Sequence, residues 1–368
     1  MRVVLSGGGT GGHIYPALAI AREIEKRYPD CAFLYIGTER GLESKLVPEE
    51  GLPFASINIT GFRRKLSFEN VKTVMRFIRG VRQAKQMLKK FKPDVVVGTG
   101  GYVCGPVLYA AAKLGIPTLV HEQNAIPGLT NKFLSRYVDT VAVSFEQSTT
   151  FFAQAKRVQY TGNPRATAVV EANRDRGFAS LGLPQDSRIV LVMGGSRGAQ
   201  AVNDAMIGMV PLLKQLPDIH FVYVTGQTYY EKTRAAVLKA SEGVRNHLHI
   251  LPYIANMPEV LAATTLTVSR AGASSLAELT ALGIPSILIP SPNVTNNHQE
   301  ANARSLDDAG AAVMLTEKQL SAQTLFGHIE ALMTNEQQRQ TMSQHAKDYG
   351  QPDAAMRVVT EMERLAGK

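Results

Sequence analysis

The chain has 368 residues, a formal net charge of +9 and two cysteines, Cys31 and Cys104. Its length accommodates two domains, each able to bury a core of its own. The cysteine usage excludes a disulfide framework and points to a reducing compartment, and no apolar run approaches the ~20 residues of a membrane-spanning helix, so a cytosolic protein is expected.

Arg2 to Leu5 read as a short buried strand, Ser6 to Gly12 as a glycine loop and His13 to Tyr28 as an amphipathic helix. Backbone N–H groups gather where such a helix starts and form an anion site. Gly7-x-Gly9-x-x-Gly12 also fits the dinucleotide fingerprint, which further requires an acid closing the second strand. That strand, Cys31 to Gly37, runs into Thr38 with Glu39 only beyond it, which argues against a nicotinamide site. Pro16 suits a first helical turn, where a missing N–H costs nothing.

Strands near 2–6, 31–37, 54–59, 94–98, 117–121, 140–144 and 158–162 alternate with helical patterns. The alternation predicts a parallel sheet covered on both faces, with ligands at the carboxyl ends of its strands. Residues 63–92 hold 11 basic residues and one acid, Glu69. The helix expected from about Phe68 to Lys90 carries an apolar line of Val71, Met75, Ile78 and Leu88, with Phe77 on another face. Such a helix is either half-buried with a solvated basic side or a peripheral contact with an anionic membrane surface through 62–92. No nucleic-acid recognition motif accompanies the basic patch, so no nucleic-acid partner is expected. At Gly98-Thr99-Gly100-Gly101-Tyr102 the glycine device of Gly9-Thr10-Gly11-Gly12-His13 returns, again strand first and helix after.

Gly162-Asn163-Pro164 breaks the pattern, and strands near 188–193, 219–225, 247–251, 266–269, 285–290 and 312–316 then restart it. The expected domains are 1–163 and 164–351, with a last helix, 352–368, packed back on the first. A third glycine loop, Gly194-Gly195-Ser196-Arg197-Gly198, follows the first strand of the second half. Ser269 to Ser275 lead into a helix containing Glu278. Its amides suit a diphosphate and the carboxylate suits the two hydroxyls of a ribose, although Ser275 and Glu278 would equally serve as a capping box. The amides of Asn296-Asn297-His298-Gln299-Glu300-Ala301-Asn302 are groups that read sugar hydroxyls and favour the ligand reading.

With these segments in view, the sequence resembles the MurG family, UDP-N-acetylglucosamine:N-acetylmuramyl-(pentapeptide)-pyrophosphoryl-undecaprenol N-acetylglucosaminyltransferases. The resemblance rests on GGTGGHIYPALA (8–19), GTGGYVCGP (98–106), HEQNAIPGLTNKFL (121–134), GNPR (162–165), GGSRGA (194–199), SRAGASSLAE (269–278) and NNHQEANA (296–303). It implies an α/β protein of the GT-B fold, two doubly wound Rossmann-like domains facing across a cleft, at work in peptidoglycan synthesis on the cytoplasmic face of the bacterial membrane. It implies UDP-GlcNAc and the lipid-linked MurNAc-pentapeptide (lipid I) as substrates and inverting transfer of GlcNAc to the muramic acid C4 hydroxyl, with no cofactor.

Carried over residue by residue, the resemblance assigns Thr10, Gly11, Gly12, Asn124, Arg165, Ser196, Ile254, Ala273, Ser274, Ser275, Leu276, Ala277, Glu278 and Gln299 to the sugar nucleotide. Within that set, Glu278 takes the ribose, the Ile254 backbone the uracil, Ser196 and the helix after it the diphosphate, and Gln299 the sugar hydroxyls. The remaining cradle, Gly100 and Gly101 with Tyr102 beside it, is left for the acceptor pyrophosphate. His13, with the pKa near ~6.5 of an ordinary imidazole, is the best-placed base; its other reading is a hydrogen bond to phosphate. His121 and Glu122 are rivals that close a buried strand. No Asp-x-Asp pair occurs in the chain, so no metal is expected on the diphosphate, and helix N-termini would supply the positive potential.

Overall fold

A computed structural model describes residues 1–61, 68–195, 198–240 and 246–368, the side chains of 68–72 excepted. The chain divides into two units, Met1–Thr167 with Asp353–Lys368 and Ala168–Pro352.

The first unit is built on seven parallel strands: β1 (Arg2–Ser6), β2 (Ala32–Gly37), β3 (Phe54–Ser56), β4 (Val95–Gly98), β5 (Thr118–Glu122), β6 (Thr140–Val143) and β7 (Val158–Tyr160). Their order is β3-β2-β1-β4-β5-β6-β7. Side chains alternate across a strand, so consecutive valines serve opposite faces and an all-apolar run is what a sheet covered on both sides demands. Val3, Leu5, Val95 and Val97 pack with Ile14, Ile20 and Ile24 of the helix Gly11–Arg27 and with Val358, Val359 and Met362 of the final helix, Ala354–Ala366. Val4 and Val96 pack on the other side with Ala84 and Leu88 of the helix Phe68–Phe91 and with Val107 and Leu108 of the helix Cys104–Lys113. Fully burying each such side chain contributes about 1.5–3 kcal/mol, which makes this core the main stabilising term of the unit. Ion pairs fasten the final helix at its rim: Arg27 to Glu363 at 3.0 Å, Arg157 to Glu361 at 2.9 Å and Lys368 to Asp94 at 2.9 Å.

The second unit carries six parallel strands, β8 (Arg188–Met193), β9 (Ile219–Val224), β10 (Leu248–Leu251), β11 (Leu266–Ser269), β12 (Ser286–Leu288) and β13 (Val313–Met314), in the order β10-β9-β8-β11-β12-β13. In each sheet the direction of winding reverses once, between β1 and β4 and between β8 and β11. That reversal opens a crevice at the carboxyl ends of the two strands, where doubly wound folds bind ligands. All four strands run directly into the glycine-bearing or helix-opening segments singled out in the sequence.

Several boundaries differ from the sequence reading. The first helix begins at Gly11, two residues before His13, so Gly11 and Gly12 are its first turn. β3 stops at Ser56 because its partner β2 ends opposite it at Gly37, although Ile57 and Ile59 stay buried beyond it. β13 has two residues, paired to a β12 of three. Among the described residues no helix is long and apolar enough to cross a membrane.

Candidate active site

Because β1 and β4 are neighbours, the two glycine loops of the first unit touch. Gly8 N–H donates to Gly100 O at 3.3 Å, and a Cβ on Gly101 would stand 2.3 Å from Gly8 O. The buried Cys104 thiol is pinned beneath both, donating to Ser6 O at 2.8 Å or Gly100 O at 2.9 Å, and burial pushes it up to about 12. The sequence suggested two separate cradles; the structure makes them one continuous surface. His13 lies in it. Its Nδ1 is 2.9 Å from Gly8 O, an atom that can only accept, so Nδ1 carries a proton, and in the neutral form of the ring Nε2 is the acceptor. Nε2 lies on the Gly100 side, 3.0 Å from where a Cβ on that glycine would stand.

Thr10 is the N-cap of the first helix, and its side chain does not cap it. The first-turn N–H groups of Gly11 and Gly12 have no carbonyl one turn back, as at any helix start. The amides of Gly8 and Gly9, by contrast, turn inward, to Gly100 O and to Glu43 Oε2 at 3.1 Å. Only the helix start, and not the whole loop, therefore faces outward as an anion site. Tyr102 stands beside the loops, its ring 3.6 Å from a Cβ placed on Gly9.

Glu43 went unnoticed in the sequence. It has no exposed surface and accepts from Thr38 N at 3.1 Å and Thr38 Oγ1 at 2.7 Å as well as from Gly9. Thr38, just beyond β2, stands where a dinucleotide site presents its ribose-binding acid. Here the acid that meets it points inward, which removes the dehydrogenase reading on physical grounds.

His121 and Glu122 close β5 and are both buried. His121 donates from Nε2 to Gly162 O at 2.9 Å and accepts at Nδ1 from Gln123 Nε2 at 3.0 Å. Burial pushes its imidazole down to about 4, so it holds the Gly162 turn as a neutral ring and is no rival base. Glu122 accepts from Asn124 N at 3.0 Å and Asn124 Nδ2 at 3.3 Å through Oε1, and from Gly128 N at 3.1 Å and Asn131 Nδ2 at 2.8 Å through Oε2. A carboxylate so occupied shapes the loop that presents Asn124. Arg165 follows in the turn Pro164–Ala166, where Asn163 Oδ1 accepts from its N–H at 3.1 Å and its guanidinium lies 5.3 Å from the Tyr15 ring centre. The tight contact of Tyr15 with Gly11 brings that charge beside the first helix start.

In the second unit, the helix Ala273–Leu282 opens directly after β11. Its N-cap is Gly272, with no side-chain cap, so Ser275 and Glu278 do not form a capping box. Ser274 Oγ is buried with no partner among the described residues. Glu278 lies one turn further in, 8% exposed, on the same helix as Ala273, Leu276 and Ala277. Across the crevice, after β8, a Cβ on Gly194 would stand 2.6 Å from Ala199 N and one on Gly198 2.2 Å from Thr225 O. Ser196, assigned to the diphosphate, lies outside the described residues. Ile254, in the loop after β10, is 5% exposed.

The amide cluster at 296–302 divides its labour. Asn296 and Asn297 take left-handed conformations, φ 55° and 51°, that turn the chain into the helix His298–Asp308. Asn302 is fully buried and donates to Ala271 O at 3.1 Å, fixing the approach to Gly272. His298 Nδ1 is engaged with Thr295 O at 2.7 Å. Gln299 is half-buried and accepts from Ser291 N at 2.9 Å through Oε1, which aims its amide N–H groups.

The basic segment is corrected in one respect. Leu88 is fully buried, while Val74, Met75 and Ile78 are 46%, 51% and 48% exposed, so the apolar residues do not form one buried line. Phe77 meets Tyr109 and Phe133 at ring distances of 6.1 Å, and Leu129, nearby in sequence to Phe133, is 75% exposed. Residues 62–67 and the side chain of Val71 lie outside the described residues.

Residues 3–143 match the glycosyltransferase family 28 N-terminal domain and residues 189–358 its C-terminal domain. A UDP-N-acetylglucosamine–N-acetylmuramyl-(pentapeptide) pyrophosphoryl-undecaprenol N-acetylglucosamine transferase of Bacillus cytotoxicus is 56% identical over 368 residues, covering all of both chains. Among solved structures, MurG of Acinetobacter baumannii is similar with a TM-score of 0.78 and 31% identity over 99% of each chain. A UDP-GlcNAc 2-epimerase from Neisseria meningitidis bound to UDP-GlcNAc reaches a TM-score of 0.73 over 98% of this chain and 99% of its own, at 15% identity, a likeness of fold alone.

Proposed function

The chain belongs to glycosyltransferase family 28, among the MurG enzymes, and from that premise we propose how its residues carry out the reaction. It transfers GlcNAc from UDP-GlcNAc to the lipid-linked MurNAc-pentapeptide, converting lipid I to lipid II in peptidoglycan synthesis. The C4 hydroxyl of the muramic acid attacks C1 of GlcNAc while UDP departs from the opposite face, with inversion. Such a displacement needs a base for the hydroxyl proton and positive potential on the leaving diphosphate.

His13 is the base. The observation that carries this role is the commitment of Nδ1–H to Gly8 O, which leaves Nε2 as the proton-accepting nitrogen beside the joined glycine loops. Gly100, Gly101 and Tyr102 take the acceptor's pyrophosphate, and the first unit is the acceptor domain. The second unit takes the uridine diphosphate. Ile254 meets the uracil through its backbone, Glu278 the ribose hydroxyls, and Ser196 with the first turn Ala273 to Ser275 the diphosphate, while Leu276 and Ala277 shape the wall. The unpartnered Ser274 hydroxyl supports that last assignment. Gln299 reads the GlcNAc hydroxyls, and Thr10, Gly11, Gly12, Asn124 and Arg165 meet the sugar nucleotide from the first unit.

The enzyme docks peripherally on the anionic cytoplasmic leaflet through 62–92. Attraction to such a leaflet is worth about 1 kcal/mol per basic residue near the surface. The exposed Met75 and Ile78, interspersed with Arg76, Arg79 and Arg82, add an apolar contribution. Transfer of radiolabelled GlcNAc to a short-chain lipid acceptor tests the whole reading. Product from UDP-GlcNAc and none from UDP-GalNAc is the expected result, and equal use of both donors would contradict the role of Gln299.

A further inference from the structure

Glu43 opens the helix Glu43–Glu49 and is wholly enclosed. Three glycines make room for it: a Cβ on Gly8, Gly37 or Gly41 would stand 2.5, 2.7 or 2.2 Å from its side-chain atoms. Each carboxylate oxygen faces donors, Oε1 the N–H and hydroxyl of Thr38 and Oε2 the N–H of Gly9. The Gly9 N–H and the Gly8 carbonyl belong to one planar trans peptide, so they point in opposite directions. Glu43 holds one end of that peptide at 3.1 Å and His13 Nδ1 holds the other at 2.9 Å.

We propose that Glu43 is a positioning residue for the transfer, acting on His13 through the Gly8–Gly9 peptide. The proposal rests on the reading of His13 as the base. A charged acceptor on the N–H end polarises the peptide and makes Gly8 O a stronger acceptor for Nδ1–H, by about 10–30% per bond in such chains. This fixes the ring's orientation and its Nδ1–H tautomer, as a carboxylate or carbonyl behind a working histidine does. When Nε2 takes the proton of the C4 hydroxyl the ring becomes an imidazolium, and the enclosed negative charge behind it favours that form. A purely structural Glu43 would fasten the loop and leave the titration of His13 alone.

Glu43→Gln keeps the shape, removes the charge and turns an amide N–H₂ toward one of the donors. In the full-length chain labelled with ¹⁵N-histidine, wild-type His13 is expected as the Nδ1–H tautomer. In E43Q the tautomers mix and the ring's midpoint moves down by about half a pH unit or more. The plateau kcat falls about 10-fold, its acid limb moves in the same direction, and KM for UDP-GlcNAc stays within about twofold. A folded E43Q with unchanged tautomer and midpoint overturns the proposal. A ring that responds while the pH–rate profile does not overturns the base reading, and with it the part of Glu43 in transfer. If E43Q does not fold, ¹³C-glutamate labelling of the wild-type chain serves instead. The Glu43 carboxyl resonance is then expected to inflect at the His13 midpoint, and its failure to do so overturns the proposal.

Discussion

The imidazole of His13 and the carbonyl of Gly8 are joined at 2.9 Å, and this one hydrogen bond decides which ring nitrogen can accept a proton. It exists because the helix starts at Gly11, which brings residue 13 back over the loop that precedes it, and because Gly8 is itself held by Gly100 across two neighbouring strands. The bond fixes the orientation of the ring, with the Nδ1 proton committed to Gly8 O.

The ribose assignment predicts a specific pattern of lost affinity. Hydrogen bonds to a charged group are worth about 1.5–3 kcal/mol, so Glu278→Ala is expected to weaken UDP binding by roughly 10- to 150-fold in calorimetry. The wild-type enzyme discriminates against 2′-deoxy-UDP and the variant does not. A loss that is the same for both nucleotides would mean that Glu278 holds the helix rather than the sugar.

Stability depends on pH through His121. Its imidazole is held down to about 4 by burial, against the ordinary 6.5. Between those values the unfolded chain binds a proton that the folded chain refuses, so this contribution is complete above pH 6.5 and is lost as pH falls toward 4. The gap corresponds to roughly 3 kcal/mol. His220, lowered by burial and by His247, and His249, lowered by burial and by His220 and His247, act in the same direction. Urea unfolding at pH 7.5 and 4.5 should differ by at least about 2 kcal/mol, with His121 still neutral by NMR at pH 5. Equal stabilities, or a His121 midpoint near 6.5, would contradict this.

Two glycines with the same backbone demand separate strain from loop contact. Gly101 and Gly115 have φ of 83° and 71°, but a Cβ meets Gly8 O at 2.3 Å at the first and nothing within 4 Å at the second. Gly115→Ala is expected to cost about 1 kcal/mol of stability with kcat unchanged. Gly101→Ala should cost about 1–3 kcal/mol and lower kcat at least about 10-fold, because Gly8 must move and His13 with it. Similar activity in the two variants would show that the joined loops do not matter to transfer.

Charge reversal tests the docking surface. With Arg76, Arg79 and Arg82 all changed to Glu, sedimentation with anionic vesicles should fall more than about 100-fold in partition coefficient, at about 1 kcal/mol per residue. Met75→Ser with Ile78→Ser should weaken it further without changing turnover of a short-chain acceptor. Unchanged sedimentation of the triple variant would contradict docking through this segment.

What the sequence displayed was local. The valine runs of β1 and β4, the glycine loops after them and the helix after β11 are legible because strand burial and helix starts depend on adjacent residues. Contact between the two loops was not, since the pairing of β1 with β4 joins residues some 90 positions apart. Glu43 was hidden for the same reason: a lone Glu after Gly41 looks like a solvated helix start until β1 and β2 bring Gly8 over it. The amides at 296–302 look alike in sequence, and only tertiary placement turns Asn302 inward to Ala271 and sets Gln299 Oε1 on Ser291 N. Met75 and Leu88 lie about 140° apart around their helix, so the apolar residues of this segment divide between an exposed and a buried face.

The central claim is that His13 takes the proton of the attacking hydroxyl, and the pH dependence of kcat in wild type and His13→Ala tests it most directly. The account predicts an acid limb in the wild type that is absent from the variant, a plateau lowered by about 10²- to 10⁴-fold, and unchanged UDP affinity. A His13→Ala enzyme that keeps the limb and turns over within threefold of wild type would contradict it.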